Sequence, residues 1–357
     1  MKRFAEAELL AFAEAVVRAV GAPATTAAAV AESLVQADVR GVSTHGVVRL
    51  PSYRRQVEDG EVVAQAEPVV LKQSGATALV DGRRAFGART AGVCASLAAD
   101  IASNMGAGVV TARGCMHFGA TARYALMSAH RGLVGIAAAN TPAVMAPFGG
   151  AEPAVGNNPL AVAAPMPDGR EPFVLDMAQT VVARGRIKLA EMAGRAIPGG
   201  WALDAEGRPT TDPARALAGA LLPFGGYKGY GLALAVEALT GVLAGGGLSP
   251  ELANTSMTGT PAAREGAVVG SVGAFFMAVD PDAFVGRSEF ERALGRLADA
   301  VARVPPAPGF AEVLFPGELE QRAAVDAAAN GIPLDDSTVE MLAALAAELG
   351  VALPVAA

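Results

Sequence analysis

The chain has 357 residues, with 28 Lys and Arg against 35 Asp and Glu, and 52% of its residues are hydrophobic. The formal net charge of −7 and the lack of a Lys/Arg-rich run argue against an electrostatic nucleic-acid binder. The apolar content suffices for one large core or two fused ones, and it excludes intrinsic disorder. Two cysteines, Cys94 and Cys115, cannot form a disulfide framework, so we expect a cytoplasmic protein.

We expect neither a targeting signal nor a membrane partner. Glu6, Glu8 and Glu14 interrupt the N-terminal segment, and no charge-free stretch approaches the roughly 20 apolar residues that span a bilayer. The most apolar segment, residues 231–243, contains Glu237 and is predicted to be a buried helix.

The first sixty residues are predicted to be helical. Apolar residues at helical spacing indicate helices over about 9–20, 25–38 and 46–58, and Gly21 with Pro23 ends the first. Pro51 falls inside the third segment, where it would remove one backbone hydrogen bond and kink the axis.

The centre of the chain alternates between strands and helices. Apolar runs predict strands at 69–71, 76–80, 108–111, 133–139, 160–164, 173–175 and 267–279. Helical patterns cover 91–105, 120–130 and 231–243. A strand, a helix and a strand within about thirty residues are typical of a βαβ unit.

The last sixty residues return to helices, at about 290–301, 318–328 and 339–349. We therefore predict an α/β fold in which the two chain ends, residues 1–72 and 288–357, form one discontinuous helical domain. Residues 73–287 would form the α/β domain.

Several common catalytic motifs are absent. No G-x-G-x-x-G follows a strand, and neither a G-x-x-x-x-G-K-[ST] phosphate loop nor a G-x-S-x-G elbow occurs. The three histidines never form H-E-x-x-H, and Cys115 with His117 lacks a second ligand pair. We expect no metal site.

A first polar cluster lies at residues 43–53. If this segment is helical from Gly46, then His45, Arg49 and Tyr53 share one face at i, i+4 and i+8. That face would offer an acid/base group, a bidentate clamp for a carboxylate, and a phenol. A solvated helix face with a histidine at its N-terminus explains the spacing equally well.

Two further clusters contain glycine. His117 to Thr121 precede a helix, whose N-terminus suits an anion, and Gly119 permits close backbone approach; a histidine capping this loop is the alternative. Residues 224–231 hold four glycines with Tyr227 and Lys228, which indicates either a ligand-binding loop or a structural turn.

Together with further motifs, these clusters resemble the malate/L-lactate dehydrogenase-like oxidoreductases. That family also holds ureidoglycolate dehydrogenase, sulfolactate dehydrogenase and the Δ1-piperideine-2-carboxylate reductases. The matching segments run in order along almost the whole chain: 44–49, 117–119, 140–142, 146–150, 156–159, 175–178, 197–202, 223–231 and 316–318.

The resemblance implies hydride transfer between a nicotinamide cofactor and a small 2-hydroxy or 2-keto acid that is malate-, lactate- or ureidoglycolate-like. It also implies a non-classical dinucleotide-binding sheet, which explains the missing glycine fingerprint, and a homodimer or higher assembly. The central domain would bind NAD(P), and the helical domain would serve the substrate and dimerisation.

The resemblance also implies residue roles. His45 would be the proton donor and acceptor beside the Thr44 hydroxyl, with His117 as a second candidate for that role. Arg49 would hold the substrate carboxylate, assisted by Tyr53 and Asn157. The cofactor would be lined by His117, Phe118, Gly119, Ala120, Thr121, Thr141, Leu175, Asp176, Met177, Tyr227, Lys228, Phe315, Pro316, Gly317 and Glu318.

Two departures refine the prediction. The imine reductases resemble this chain but carry an acid shortly after residues 183–185, where Arg186 stands here, so a hydroxy-acid dehydrogenase is favoured. Leu319 and Glu320 follow Glu318, and a carboxylate there would repel a 2′-phosphate, so NAD is favoured over NADP. The alternatives are an NADPH-dependent reductase of Δ1-piperideine- or Δ1-pyrroline-2-carboxylate, and a non-catalytic ligand-binding protein.

Overall fold

The computed structural model describes residues 1–253 and 270–356. Its strands are β1 (Lys2–Phe4), β2 (Val69–Ser74), β3 (Thr77–Asp81), β4 (Ala107–Cys115), β5 (Val134–Ala139), β6 (Leu160–Ala164), β7 (Phe173–Met177), β8 (Ala202–Leu203), β9 (Pro209–Thr210), β10 (Ala220–Leu221), β11 (Val272–Val279) and β12 (Ile332–Leu334).

The α-helices in the described parts are α1 (Glu6–Ala19), α2 (Ala24–Val39), α3 (Leu50–Glu58), α4 (Gly87–Met105), α5 (Ala122–Ala129), α6 (Arg184–Met192), α7 (Pro213–Ala218), α8 (Tyr227–Glu237), α9 (Arg287–Ala302), α10 (Glu318–Asn330) and α11 (Asp336–Leu349). In the described residues, 3₁₀ turns cover Ser43–His45, Val47–Arg49 and Pro281–Ala283, and a π-helical turn covers Ala238–Val242. None of these helices is both long and apolar enough to cross a membrane.

A mixed seven-stranded sheet lies at the centre, in the order β2-β3-β4-β11-β5-β6-β7. β3 and β4 are parallel and joined through α4, which confirms the expected α/β class. β4 and β5, joined through α5, also run in the same direction, but β11 lies between them and is antiparallel to both. The predicted strand 267–279 begins at Val272, and residues 267–269 lie outside the described residues.

α4 and α5 pack against the sheet at unusually short distances. A Cβ added to Gly108 of β4 would lie 2.1 Å from the carbonyl oxygen of Ala98, and one at Gly135 of β5 would lie 2.2 Å from that of Ala125. Only glycine fits at these two strand positions, because any side chain would overlap helix backbone. The alanine-rich sequence of both helices therefore serves close helix–sheet packing, with Ala95, Ala98 and Ala125 in the core.

The two chain ends meet in a second core. Apolar residues of α1, α2, α3 and α11 pack together there, and β1 pairs with β12, Phe4 opposite Ile332. The division after residue 72 and before residue 288 stays a prediction. α9 also contacts the β6–β7 connection, where Arg170 Nη2 donates to Asp299 Oδ1 over 2.7 Å.

Two helix predictions are corrected. The third helix begins at Leu50 rather than Gly46, so Pro51 lies in the first turn, where its missing N–H costs no intrahelical bond. The helix predicted at 231–243 begins at Tyr227 and is not fully buried, because only one side packs on the sheet. Leu234 is 42% exposed and Val242 is 61% exposed.

Candidate active site

A cleft of about 920 Å³ runs between α2, the two 3₁₀ turns of residues 43–49, the segment after β4, and the end of β7. Most of the predicted site residues line this cleft. Those lining it are Thr44, His45, Arg49, His117, Phe118, Gly119, Ala120, Thr121, Thr141, Asn157, Leu175, Asp176, Met177, Phe315, Pro316 and Gly317.

His45 and Arg49 are brought together by turns rather than by a continuous helix face. The Thr44 hydroxyl Oγ1 lies 3.0 Å from His45 Nδ1, and Arg49 Nε donates to the Thr44 carbonyl over 2.6 Å. Among the described residues no acceptor contacts the terminal nitrogens of Arg49. The two terminal nitrogens therefore remain able to bind a carboxylate.

Asp38 of α2 fixes these turns from behind. Its Oδ2 accepts a hydrogen bond of 2.8 Å from the backbone N–H of Val47. Gly46 packs directly on this carboxyl group, since an added Cβ would lie 1.8 Å from Oδ1. Burial raises the pKa of Asp38 to about 7, although the Val47 hydrogen bond opposes the shift.

His117 lies next to His45. The two imidazole rings are stacked, with centroids 5.7 Å apart and planes 19° apart. Tyr53 does not line the cleft; its hydroxyl lies 2.8 Å from His117 Nδ1 and so fixes the orientation of that ring. Burial raises the pKa of Tyr53 above its ordinary value, which keeps the phenol protonated.

Both histidines are neutral at pH 7. Burial, and then the nearby charge of Arg49, lowers the pKa of His45 to about 4. Burial also holds the pKa of His117 well below its ordinary value, with His45 and Arg49 adding to the effect. A neutral imidazole can accept a proton, which is the state that a base for alcohol oxidation requires.

The other end of the cleft carries carboxylates. Asp176, at the end of β7, accepts a 2.8 Å hydrogen bond from the backbone N–H of Ala122, so the N-terminus of α5 already has an anionic partner. Desolvation raises the pKa of Asp176 to about 6. Glu320 and Arg40 line the same region.

Three predicted cofactor residues lie off the cleft lining. Glu318 accepts a 2.8 Å hydrogen bond from the backbone N–H of Phe315 and thereby supports the loop that does line it. Tyr227 and Lys228 are exposed at the start of α8, and the Tyr227 ring packs edge-on against Phe148. Their roles stay predictions.

A buried polar network behind Thr141 and Asn157 was not predicted. The Thr141 hydroxyl donates to Asn157 Oδ1 over 2.7 Å, which joins the two loops at the cleft. Behind them, both oxygens of Glu237 accept hydrogen bonds from Asn140 and Asn158. A carboxylate buried in an apolar helix needs hydrogen-bond partners. The presence of Glu237 in the apolar segment 231–243 could therefore have indicated a buried polar network.

Arg184 and Arg186, at the start of α6, also line the cleft and were not predicted as site residues. Within the described residues no cluster of three or more His, Cys, Asp or Glu side chains could hold a metal ion.

The family model described as malate/L-lactate dehydrogenase matches residues 4–343. The chain belongs to the malate/L-lactate dehydrogenase family. It is 38% identical over 335 residues to an L-sulfolactate dehydrogenase of Methanocaldococcus jannaschii, covering 94% of each chain. The solved structure of the sulfolactate dehydrogenase from that organism superposes with a TM-score of 0.89 and 35% identity, covering 98% of both chains.

Family members differ in the reaction that their names give. A Δ1-pyrroline-2-carboxylate reductase of Burkholderia ambifaria is 38% identical over 279 residues, covering 77% of this chain and 78% of the relative. Family membership thus confirms the fold class and the oxidoreductase assignment, whereas the names of the relatives differ in the substrate.

Proposed function

We propose that this protein is a nicotinamide-dependent dehydrogenase that interconverts a 2-hydroxy acid and the corresponding 2-keto acid. The observation that carries the proposal is the pairing of a neutral His45 with an Arg49 whose terminal nitrogens are unoccupied, both tethered to Thr44 in one cleft.

The cleft fits a dinucleotide. Its volume of about 920 Å³ is at the upper end of the range for ligand pockets. The carboxylate of Asp176 supplies acceptors suited to ribose hydroxyls, and the loop Phe315–Gly317 borders the same region. When bound there, the nicotinamide gives or takes up the hydride.

The residues at the other end would handle the proton and the substrate. Arg49 binds the carboxylate and so orients C2 of the substrate. In oxidation His45 accepts the proton of the substrate hydroxyl as the hydride leaves C2, and in reduction it returns that proton. The Thr44 hydroxyl and the adjacent His117 ring hold the imidazole of His45 in place.

NAD is the proposed cofactor rather than NADP. Glu320 lines the carboxylate end of the cleft together with Asp176, and two carboxylates there would repel a 2′-phosphate. Arg40 lines this region as well, but it lies in the field of Glu320 and Asp176, which reduces its attraction for a further anion.

We also propose a cytoplasmic homodimer. Cys94 and Cys115 are both free and buried, which suits a reducing compartment. One side of α8 and the following turn leaves Leu234, Leu239 and Val242 exposed. An apolar stripe of this kind favours burial against a second copy. Light scattering of the purified protein would test the assembly.

The central test compares His45→Gln with the control His130→Gln. His130 lies at the C-terminal end of α5 and does not line the cleft. We expect His45→Gln to lower kcat by about 10²- to 10⁴-fold while NADH binding, followed by fluorescence, stays unchanged. His130→Gln should retain full turnover. Near-normal turnover of His45→Gln would refute the role; His117→Gln, assayed in parallel, distinguishes the two histidines.

The second candidate function is a cyclic-imine reductase, favoured by the similarity to the pyrroline-2-carboxylate reductase. Pyruvate, oxaloacetate and Δ1-pyrroline-2-carboxylate should be assayed side by side with NADH and NADPH. If the protein turns over the imine and neither keto acid, cyclic-imine reduction would replace hydroxy-acid oxidation as the proposed reaction. Failure to bind either cofactor would instead indicate a non-catalytic ligand-binding protein.

A further inference from the structure

Tyr53 is a buried phenol behind the catalytic end of the cleft. Its side chain is 4% exposed, packs edge-on against Phe86 with ring centroids 6.1 Å apart, and does not line the cleft. Within the described residues, the hydroxyl of Tyr53 has one hydrogen-bond partner, which is His117 Nδ1 at 2.8 Å. The direction of this hydrogen bond therefore decides which nitrogen of His117 carries the ring proton.

Burial favours one direction. The phenol keeps its proton, because burial raises the pKa of Tyr53, and in a neutral His117 ring one nitrogen donates while the other accepts. If Nδ1 donated to the phenol oxygen, the phenol proton would find no acceptor in the described parts of the chain. If the phenol donates to Nδ1, both groups are satisfied, which favours this arrangement by about tenfold or more. The ring proton of His117 then lies on Nε2.

The Nε2 edge of His117 is the edge that a ligand can reach. His117 lines the cleft, whereas its Nδ1 edge is occupied by Tyr53, which does not line it. No described residue forms a hydrogen bond with Nε2. The His45 ring is stacked on the same side of the cleft, with its centroid 5.7 Å from that of His117. Two ordinary hydrogen bonds to one shared oxygen atom span about this distance.

We propose that Tyr53 is a positioning residue that holds His117 as the Nε2–H tautomer, and that His117 in this form donates a hydrogen bond to the C2 oxygen of the substrate. The inference rests on the proposed function and gives the two histidines different roles, because His45 exchanges the substrate proton and His117 keeps its own. The pair thus presents one acceptor and one donor to the same oxygen.

The electron balance shows where the His117 donor acts. In oxidation the hydroxyl proton passes to His45 and the hydride leaves C2, while the electron pair of the broken O–H bond becomes the second C–O bond. The C2 oxygen carries partial negative charge during this change, and the Nε2–H group of His117 stabilises that charge. In reduction the same group polarises the C2 carbonyl.

The tautomer can be measured by NMR without substrate or cofactor, so this test does not depend on turnover. The chain has 3 histidines, and the Gln variants of His45 and His130 assign the remaining ring in ¹⁵N-histidine-labelled protein. Long-range ¹H–¹⁵N spectra at pH 7 should show His117 with a protonated Nε2 and an unprotonated Nδ1. Tyr53→Phe should show both tautomers, and its His117 pKa should rise, because the lost hydrogen bond stabilises only the neutral ring. A protonated Nδ1 in the wild type overturns the proposal.

Kinetics with NADH and a 2-keto acid separate a hydrogen-bond donor from a base. His117→Gln retains an N–H donor, whereas His117→Leu has none. We expect kcat to fall by about tenfold in His117→Gln and by about 10²- to 10³-fold in His117→Leu. Equal losses in the two variants would show that His117 transfers the proton itself, and no loss in either would show that it does not contact the substrate oxygen. Either result overturns the proposal.

Tyr53→Phe tests the positioning role, and Tyr124→Phe is its matched control. Tyr124 is also buried, and its hydroxyl donates to the carbonyl of Phe118, next to His117, over 2.6 Å. Both variants lose a buried hydrogen bond and should lose similar stability in urea unfolding. We expect Tyr53→Phe to lower kcat by about tenfold with little change in KM, and Tyr124→Phe to keep the kcat of the wild type. Equal kcat losses would show that the Tyr53 hydroxyl acts only through the stability of the fold.

The outcomes distinguish this inference from the proposed function. Loss of turnover in His45→Gln, together with full turnover in both His117 variants, overturns the donor role and leaves the dehydrogenase standing. A wild-type protein that binds NADH but reduces no 2-keto acid overturns both.

Discussion

Glu237 is the residue whose replacement tests the buried network most directly. Its Oε1 accepts hydrogen bonds of 2.8 Å from Asn140 Nδ2 and from the backbone N–H of Ser249. Its Oε2 accepts from Asn158 Nδ2 over 2.8 Å and from the Ser249 hydroxyl over 2.6 Å. Glu237→Gln preserves the shape of the side chain and replaces one acceptor oxygen by a donor NH₂.

The cost can be worked out from these contacts. The new glutamine amide can adopt two orientations. The more favourable one keeps its oxygen as the acceptor for Asn140 Nδ2 and the Ser249 N–H, and it turns its NH₂ group towards Asn158. The Ser249 hydroxyl can reverse and accept, but Asn158 Nδ2 loses this acceptor and keeps only the Ala233 carbonyl, at 2.9 Å. Glu237→Gln thus loses one buried hydrogen bond and weakens two others, whose acceptor changes from a charged to a neutral oxygen. Together these changes should lower the free energy of unfolding by about 3 kcal/mol.

Urea unfolding at pH 7, at one protein concentration, measures this difference by linear extrapolation. Glu340→Gln, at an exposed position of α11, is the control and should change the unfolding free energy by less than about 0.5 kcal/mol. Because the network holds Asn158 and hence the loop of Asn157, KM should also rise in Glu237→Gln. A Glu237→Gln protein as stable as the control would refute the reasoning.

Three further predictions concern the turns that carry the base. Gly46→Ala should destabilise the protein by about 1–3 kcal/mol in urea unfolding, because its Cβ would overlap Asp38, whereas Gly199→Ala, with nothing within 4 Å, should be nearly neutral. The pKa of Asp38 is raised to about 7 in the folded state from 3.8, so its contribution to stability is complete below pH 3.8 and is lost as pH rises through 7. The wild type should therefore lose about 2 kcal/mol between pH 5 and pH 7 that Asp38→Asn does not lose, and parallel slopes in the two proteins would contradict this. In histidine ring NMR spectra His45 should titrate near pH 4, and a midpoint near 6.5 would show that neither burial nor Arg49 acts on it.

The helices and strands with regular apolar spacing were predictable from the sequence. The strands Val134–Ala139 and Leu160–Ala164 lie within a residue of their predicted bounds, because their buried positions repeat with the period of a strand. The helix Glu318–Asn330 also lies within a few residues of its prediction, although Ala327 is its one buried residue. The second core, where the ends meet, followed from the same pattern, although nothing in the spacing indicated that β1 pairs with β12.

Other elements could not be predicted, for identifiable reasons. α6 and α7 and the small sheet of β8, β9 and β10 are short, and their stability comes from tertiary contacts such as the Arg184 bond to Leu217. The late start of α3 was signalled by Pro51, but the Asp38 bond that holds the preceding turns spans nine residues and depends on packing.

The candidate site was predictable by residue type more than by geometry. The sequence predicts His45 and Arg49 on one helix face, whereas in the structure two 3₁₀ turns and the Thr44 carbonyl bring them together. The place of Arg186 in the cleft lining could not be predicted, because it depends on how the start of α6 packs, where a Cβ added at Gly185 would lie 3.8 Å from the Thr44 methyl group.

The position of β11 has a consequence for how the protein is made. β11 separates β4 from β5, and the ribosome makes residues 140–271 after β5 before it reaches β11. Until then, β4 and β5 each have one unpaired edge. Gly273 of β11 then donates its N–H to Asn140 Oδ1 over 2.8 Å, at the base of the loop that carries Thr141. The sheet is thus completed late in synthesis, and the cleft is completed later still, when the loop Phe315–Gly317 has been made. A chain truncated before residue 272 would lack both.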